Sequence, residues 1–214
     1  MRRQRRNGPV DPLASRWSEQ EIERDKKRIL AHLAEYLRTG VPSFDLRLNN
    51  GRLRGDGKRD LLSQISWMWS EVRGKVVGCP FWSVAAANRL AELAKRFPRW
   101  SSLNLGREAQ RRIHGPVQLQ HEHVYPRKDW KTMIVPHVVL QPLGEDDLRA
   151  LMHRYCIACI VTKAEHGELP PNGEDRNPWL RYRGTSIRLV PNPSWQPVHH
   201  SWIDDAQILG RSAA

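Results

Sequence analysis

The chain has 214 residues, with 35 Lys and Arg against 23 Asp and Glu, a formal net charge of +12 and a pI near 10.3. A surplus of that size points to a polyanionic partner, nucleic acid first. Three cysteines are too few for a disulfide scaffold, no apolar run reaches the roughly 18 residues of a membrane helix, and a 39% hydrophobic content with nine tryptophans belongs to a chain that folds.

Residues 1–16 are basic, polar and contain Pro and Gly, and read as a flexible arm. Its opening run, Arg2-Arg3-Gln4-Arg5-Arg6, is not followed by the apolar core of an export signal, so the expected location is cytoplasmic. Ser18 and Glu21 form an S-x-x-E capping box ahead of Ile22, Ile29, Leu30, Leu33 and Leu37 at helical spacing, and Gly40 with Pro42 ends the pattern. A helix is predicted over 19–39. Residues 41–58 form a Gly-rich basic loop. Leu61, Leu62, Ile65, Met68, Trp69 and Val72 predict a second helix over 59–73. Gly78-Cys79-Pro80 is a turn, and a third helix is predicted over 83–97.

Residues 17–98 therefore read as all-helical. After Pro116 the texture changes. Val117–Tyr125 partly alternates, Ile134–Leu140 is β-rich, Glu145–Tyr155 is helical, and Cys156–Val161 is a short apolar strand. Thr162 is an N-cap for a helix running to Leu169. Pro170-Pro171-Asn172-Gly173 breaks the chain, and the remainder is irregular with a strand at Ser186–Val190. The fold class expected is α+β: an arm (1–16), a helical region (17–98) and a region with a small mixed core and a basic C-terminal extension (99–214).

Two stretches can carry chemistry: His121-Glu122-His123-Val124-Tyr125-Pro126 and Cys159-Ile160-Val161-Thr162-Lys163-Ala164-Glu165-His166. Phosphodiester hydrolysis needs an activated water and a stabiliser of the developing negative charge. A neutral histidine can supply the first and a divalent cation the second. Glu122-His123-x-x-Pro126 resembles the first strand of the HNH, or ββα-metal, nucleases, and Val161-Thr162-x-x-x-His166 resembles that family's closing strand and helix. The resemblance covers roughly residues 117–170 and implies that the 99–214 region is a ββα-metal-like nuclease domain with an irregular basic C-terminal extension. It implies that Glu122 and His166 bind a divalent metal (Mg²⁺, Mn²⁺ or Zn²⁺) and that His123 is the general base. The sequence departs from the family at two positions. Pro170 stands where some members carry a further histidine ligand, and no asparagine occurs between Pro126 and His166 to orient the base.

Arg127, Lys128 and Lys131 follow the first stretch; Arg181 and Arg183, with Trp179 and Tyr182, follow the second. Basic residues among aromatics suit phosphate contact and base stacking, so these five are expected to bind nucleic acid. A four-ligand zinc reading, His153-x2-Cys156-x2-Cys159-x6-His166, competes for His166. Residues three apart on a strand face opposite sides, which counts against it. His199-His200 near Asp204-Asp205 is a second cluster of ligand types. The function expected is a metal-dependent endonuclease, with DNA as the expected substrate. The alternative is a non-catalytic DNA- or RNA-binding protein using the arm and helices. Trp-rich helices offer a surface for a protein partner or a second copy.

Overall fold

In the computed structural model the chain is α+β, and the structure describes residues 17–49, 51–53, 60–76, 78–97, 115–137, 143–172 and 177–192. The arm, the glycine-rich stretch at 54–59 and the His199-His200 cluster lie outside the described residues. Helix α1 (Glu19–Thr39) starts at the capping box, in which the Ser18 side chain accepts from the Glu21 amide and the Glu21 carboxylate accepts from Ser18 N–H. It stops at Gly40, whose φ of 68° is the left-handed conformation that closes a helix most cheaply when no Cβ is present. Two short strands, β1 (Arg47–Leu48) and β2 (Gly51–Arg52), form a hairpin.

Helix α2 (Leu61–Ser70) is capped by Asp60, which accepts from the Ser63 amide. Leu61, Leu62, Ile65, Met68 and Trp69 are all buried, so this helix runs through the interior rather than along the surface. Helix α4 (Arg127–Ile134) and helix α5 (Glu145–Tyr155) complete the layer with α1. Here helix α3 is Val84–Arg96 and α6 is Lys163–Glu168. The largest core cluster joins α1 and α2 to Tyr125, Trp130, Ile134, Leu148, Met152 and Tyr155.

The second layer is a four-stranded sheet in the order β4-β5-β3-β6: β4 (Leu119–His123), β5 (Ala158–Thr162), β3 (Phe81–Ser83) and β6 (Leu189–Pro191). β4 and β6 run antiparallel to their neighbours, and β3 runs parallel to β5. Period-two alternation sorts the side chains into two sets. One face carries Trp82, Leu119, Ala158 and Ile160, packed with Ala86 and Leu90 of α3. The other carries Phe81, Val124, Cys159 and Val161, packed with Trp179, Tyr182, Ile187 and Leu189.

Two expectations are corrected. The stretch up to residue 98 is not all-helical, because Phe81-Trp82-Ser83 is a strand between β5 and β6. Three residues are too few to show alternation, and all three are buried. As a result the expected boundary at 98 falls inside a shared sheet and a shared core. The β-rich stretch at 134–140 begins as the last residue of α4 and a 3-10 turn (Val135–His137); its remainder lies outside the described residues. Pro126 is the N-cap residue of α4, where its missing N–H is no loss. No helix among the described residues is long and apolar enough to cross a membrane.

Trp130 is completely buried within the helical core. Trp130→Ala should cost about 3–5 kcal/mol, the range for emptying an aromatic core position. Urea unfolding followed by circular dichroism checks this, and a loss below about 1 kcal/mol would contradict the packing described.

Candidate functional site

β4 and β5 pair residue for residue, from Leu119 opposite Thr162 to His123 opposite Ala158. The ladder continues one step further, where Val124 N–H donates to Ile157 C=O. Because no bulge interrupts it, Glu122 must face one side, and His121 and His123 the other. β5 ends at Thr162, where the chain turns into α6. A capping box fixes that turn: the Thr162 hydroxyl accepts from the Glu165 amide, and the Glu165 carboxylate accepts from Thr162 N–H. The same carboxylate accepts from the Ser83 hydroxyl, the N-cap of α3. α6 then folds back along the β4–β5 pair, and His166 arrives over Glu122.

The result is a contact between the two sequence stretches. His166 Nε2 lies 2.9 Å from Glu122 Oε2. The glutamate side chain is 9% exposed and the histidine 52% exposed, so a buried carboxylate supports an imidazole open to solvent. The other carboxylate oxygen belongs to Arg181, whose Nη1 donates to Oε1 over 2.7 Å. The same guanidinium donates to the carbonyls of His123 and Val124 and, from Nε and Nη2, to Pro170.

Arg181 was expected at a nucleic-acid surface; it is buried instead, and its donors face its own chain. The sequence signal for this was present in Asn177-Pro178-Trp179-Leu180-Arg181-Tyr182. Asn177 caps a 3-10 turn with Pro at its start, and Trp179 and Tyr182, three apart, fall on one side of it. Both rings are buried, so neither is a stacking platform. Of the other basic residues, Arg127, Lys128 and Arg183 are exposed. Lys128 bonds Asn172 over 2.7 Å and Lys131 pairs with Asp60 at 2.9 Å.

His123, expected beside Glu122 as the base, does not reach the Glu122–His166 pair. It lies on the opposite face, its ring 5.2 Å from that of His121. Among the described residues neither His121 Nε2 nor His123 Nδ1 has a hydrogen-bond partner, and Glu71 Oε1 is 3.6 Å from His121 Nε2. Burial pushes His121 down to about 3, with the charges of Lys75 and Arg127 adding to it. Burial likewise holds His123 well below the usual histidine value, helped by His121 and Arg127. Desolvation therefore outweighs the backbone hydrogen bond that favours the charged His121 ring.

The zinc reading of His153, Cys156, Cys159 and His166 does not assemble. Cys159 Sγ is 2.9 Å from the Tyr182 hydroxyl, Cys156 Sγ is 3.6 Å from Met152 Sδ, and His153 stacks edge-on against Trp69. All three cysteines are buried as free thiols, and burial pushes Cys156 up to about 12. Among the described residues no group of three or more His, Cys, Asp or Glu side chains is arranged to hold a metal. No family model matches the chain, and no curated protein or solved structure is significantly similar to it.

A histidine with a depressed pKa binds its proton in the unfolded chain before it does so in the folded one. Stability is therefore full above about pH 6.5 and falls as pH drops towards 3, by up to about 1.4 kcal/mol per pH unit. Urea midpoints at pH 7 and pH 5 should differ more for the wild type than for His121→Gln; equal differences would contradict it. A thiol reagent such as Ellman's should label none of the three cysteines in the native protein and all three in denaturant; native labelling would show that the thiols are open.

Proposed function

We propose that this chain is a metal-dependent nuclease whose site is built on Glu122 and His166. The observation that carries the reading is the 2.9 Å approach of a buried carboxylate to an exposed imidazole, on a strand–strand–helix unit in the order the two sequence motifs imply. Cis ligands at about 2.0–2.1 Å from an octahedral cation stand roughly 2.9 Å apart. That spacing suits two cis ligands of a divalent ion that keeps several waters and would replace the direct Nε2–Oε2 contact; the carboxylate suits Mg²⁺ or Mn²⁺ and the imidazole Zn²⁺. Glu122 Oε2 and His166 Nε2 would hold it. Such a cation supplies charge stabilisation at the phosphoryl group and a more acidic bound water.

The chain's own residues bind and orient. Glu122 is held rigid from below, and His166 stands where a phosphate backbone can approach. The +12 charge favours that approach by a polyanion, with DNA as the substrate of first choice and RNA as the comparison. His123, on the far face, has no place in this arrangement.

A second reading is favoured by a specific observation: Glu122 is already compensated by Arg181 and His166. On that reading the protein binds DNA or RNA without cutting it, and the cluster is a structural anchor.

Cleavage of plasmid, single-stranded DNA and RNA with Mg²⁺ or Mn²⁺ separates the two. Under the nuclease reading, wild type cuts and chelator stops it. Glu122→Gln and His166→Ala each lose at least about 100-fold, because a bound cation contributes several kcal/mol and about 1.4 kcal/mol is a factor of ten. A folded His123→Ala variant should cut like wild type; its loss of activity would place the base where this geometry does not. Salt-dependent binding with no cleavage of any substrate would establish the second reading.

A further inference from the structure

We infer that Arg181 is a positioning residue of the Glu122–His166 site: it fixes which carboxylate oxygen is offered to a cation and locks the strand end and the helix exit around it. This rests on the nuclease reading of that pair and deepens it.

The argument begins with the donors of the guanidinium. Arg181 lies in the 3-10 turn Pro178–Tyr182, outside both motif stretches, and is 7% exposed. Nη1 holds Glu122 Oε1 at 2.7 Å, so the carboxylate can present only Oε2 to His166. The same Nη1 also lies 2.9 Å from the His123 carbonyl and 3.2 Å from that of Val124, the two peptide groups at which β4 ends. Nε and Nη2 take the Pro170 carbonyl at 3.0 and 2.7 Å, two residues beyond α6. One planar group therefore ties the exit of the first strand to the exit of the helix, the two ends that set the Glu122–His166 separation. The fork is specific to arginine, because a lysine ammonium at the same depth has three rotating donors and no plane.

The turn itself is held from several sides. Trp179 packs edge-on against Phe81 at 5.1 Å, and Tyr182 lies 2.9 Å from the Cys159 thiol on β5, opposite Glu122 in the ladder. Both neighbours of the guanidinium are thus anchored to the sheet face that carries Glu122. Outer partners of this kind usually govern metal affinity by about 10- to 100-fold.

The test is Mn²⁺ binding to the full chain by titration calorimetry, for wild type, Arg181→Lys, Glu122→Gln and His166→Ala, with folding checked by circular dichroism. The expected result is that Arg181→Lys folds and binds Mn²⁺ at least 10-fold more weakly, between wild type and Glu122→Gln. Arg181→Lys that folds and binds Mn²⁺ as wild type does overturns the positioning role alone. Wild type that binds no Mn²⁺ overturns the nuclease reading and the positioning role with it. Where Arg181→Lys does not fold, nitrogen-detected NMR of wild-type arginine side chains decides. The Arg181 Nη protons should exchange slowly and shift on addition of diamagnetic Mg²⁺; signals unchanged through saturation overturn the proposal.

Discussion

The antiparallel register of β4 on β5 is the constraint from which the rest follows. It places Glu122 opposite Cys159 and His121 opposite Ile160, and so assigns every side chain of β4 to a face. Slipping the pairing by one residue would exchange the faces. The two histidines would then meet Arg181 and α6, and the glutamate would be driven under α3. The apolar residues around them prevent that slip. Leu119 belongs to the cluster under α3, and Val124 to the cluster with Trp179 and Tyr182. A slip would move both into the wrong layer, so hydrophobic packing holds the polar site in place.

That register creates an electrostatic problem which the 178–182 turn resolves. A carboxylate taken out of water carries a desolvation cost of several kcal/mol unless it is paired and hydrogen-bonded. Glu122 meets both conditions: a guanidinium on one oxygen and an imidazole on the other. On the opposite face, among the described residues, His121 Nε2 and His123 Nδ1 make no hydrogen bond, and burial disfavours the charged form of both rings. One strand therefore shows both ways a protein accommodates buried titratable groups, by pairing the charge or by suppressing it.

How much of this was legible in the sequence depends on the length scale of the signal. Helix α1 was legible to the residue, because Ser18, Glu21 and Gly40 are local stop and start signals. The Thr162 cap and the approach of His166 to Glu122 were legible from motif order and spacing. β3 was not, since three buried residues carry no period and the strand exists only through its pairing with β5 and β6. The separation of His123 from Glu122 was half legible: adjacency on a strand already implies opposite faces, and only a strand ending or bending at Pro126 could have undone it. The ladder runs straight through His123, and the chain turns after it. The burial of Arg181 is not legible from its charge, which alone points to a phosphate-binding surface. Trp179 and Tyr182 three residues apart instead mark a buried turn that carries the arginine inward.

The place of β4 in the sheet explains why a site can exist there. β4 is the end strand of the order β4-β5-β3-β6, so among the described residues it has a neighbour strand on one side only. A carboxylate in the middle of the sheet would be covered from every direction and closed to any substrate. At the edge, Glu122 is supported from the interior by Arg181, while α6 lays a half-exposed His166 across its outer side. Support and access then come from different elements, and neither compromises the other. Such a division is what a site needs if it is to be rigid enough to orient a ligand and open enough to admit one.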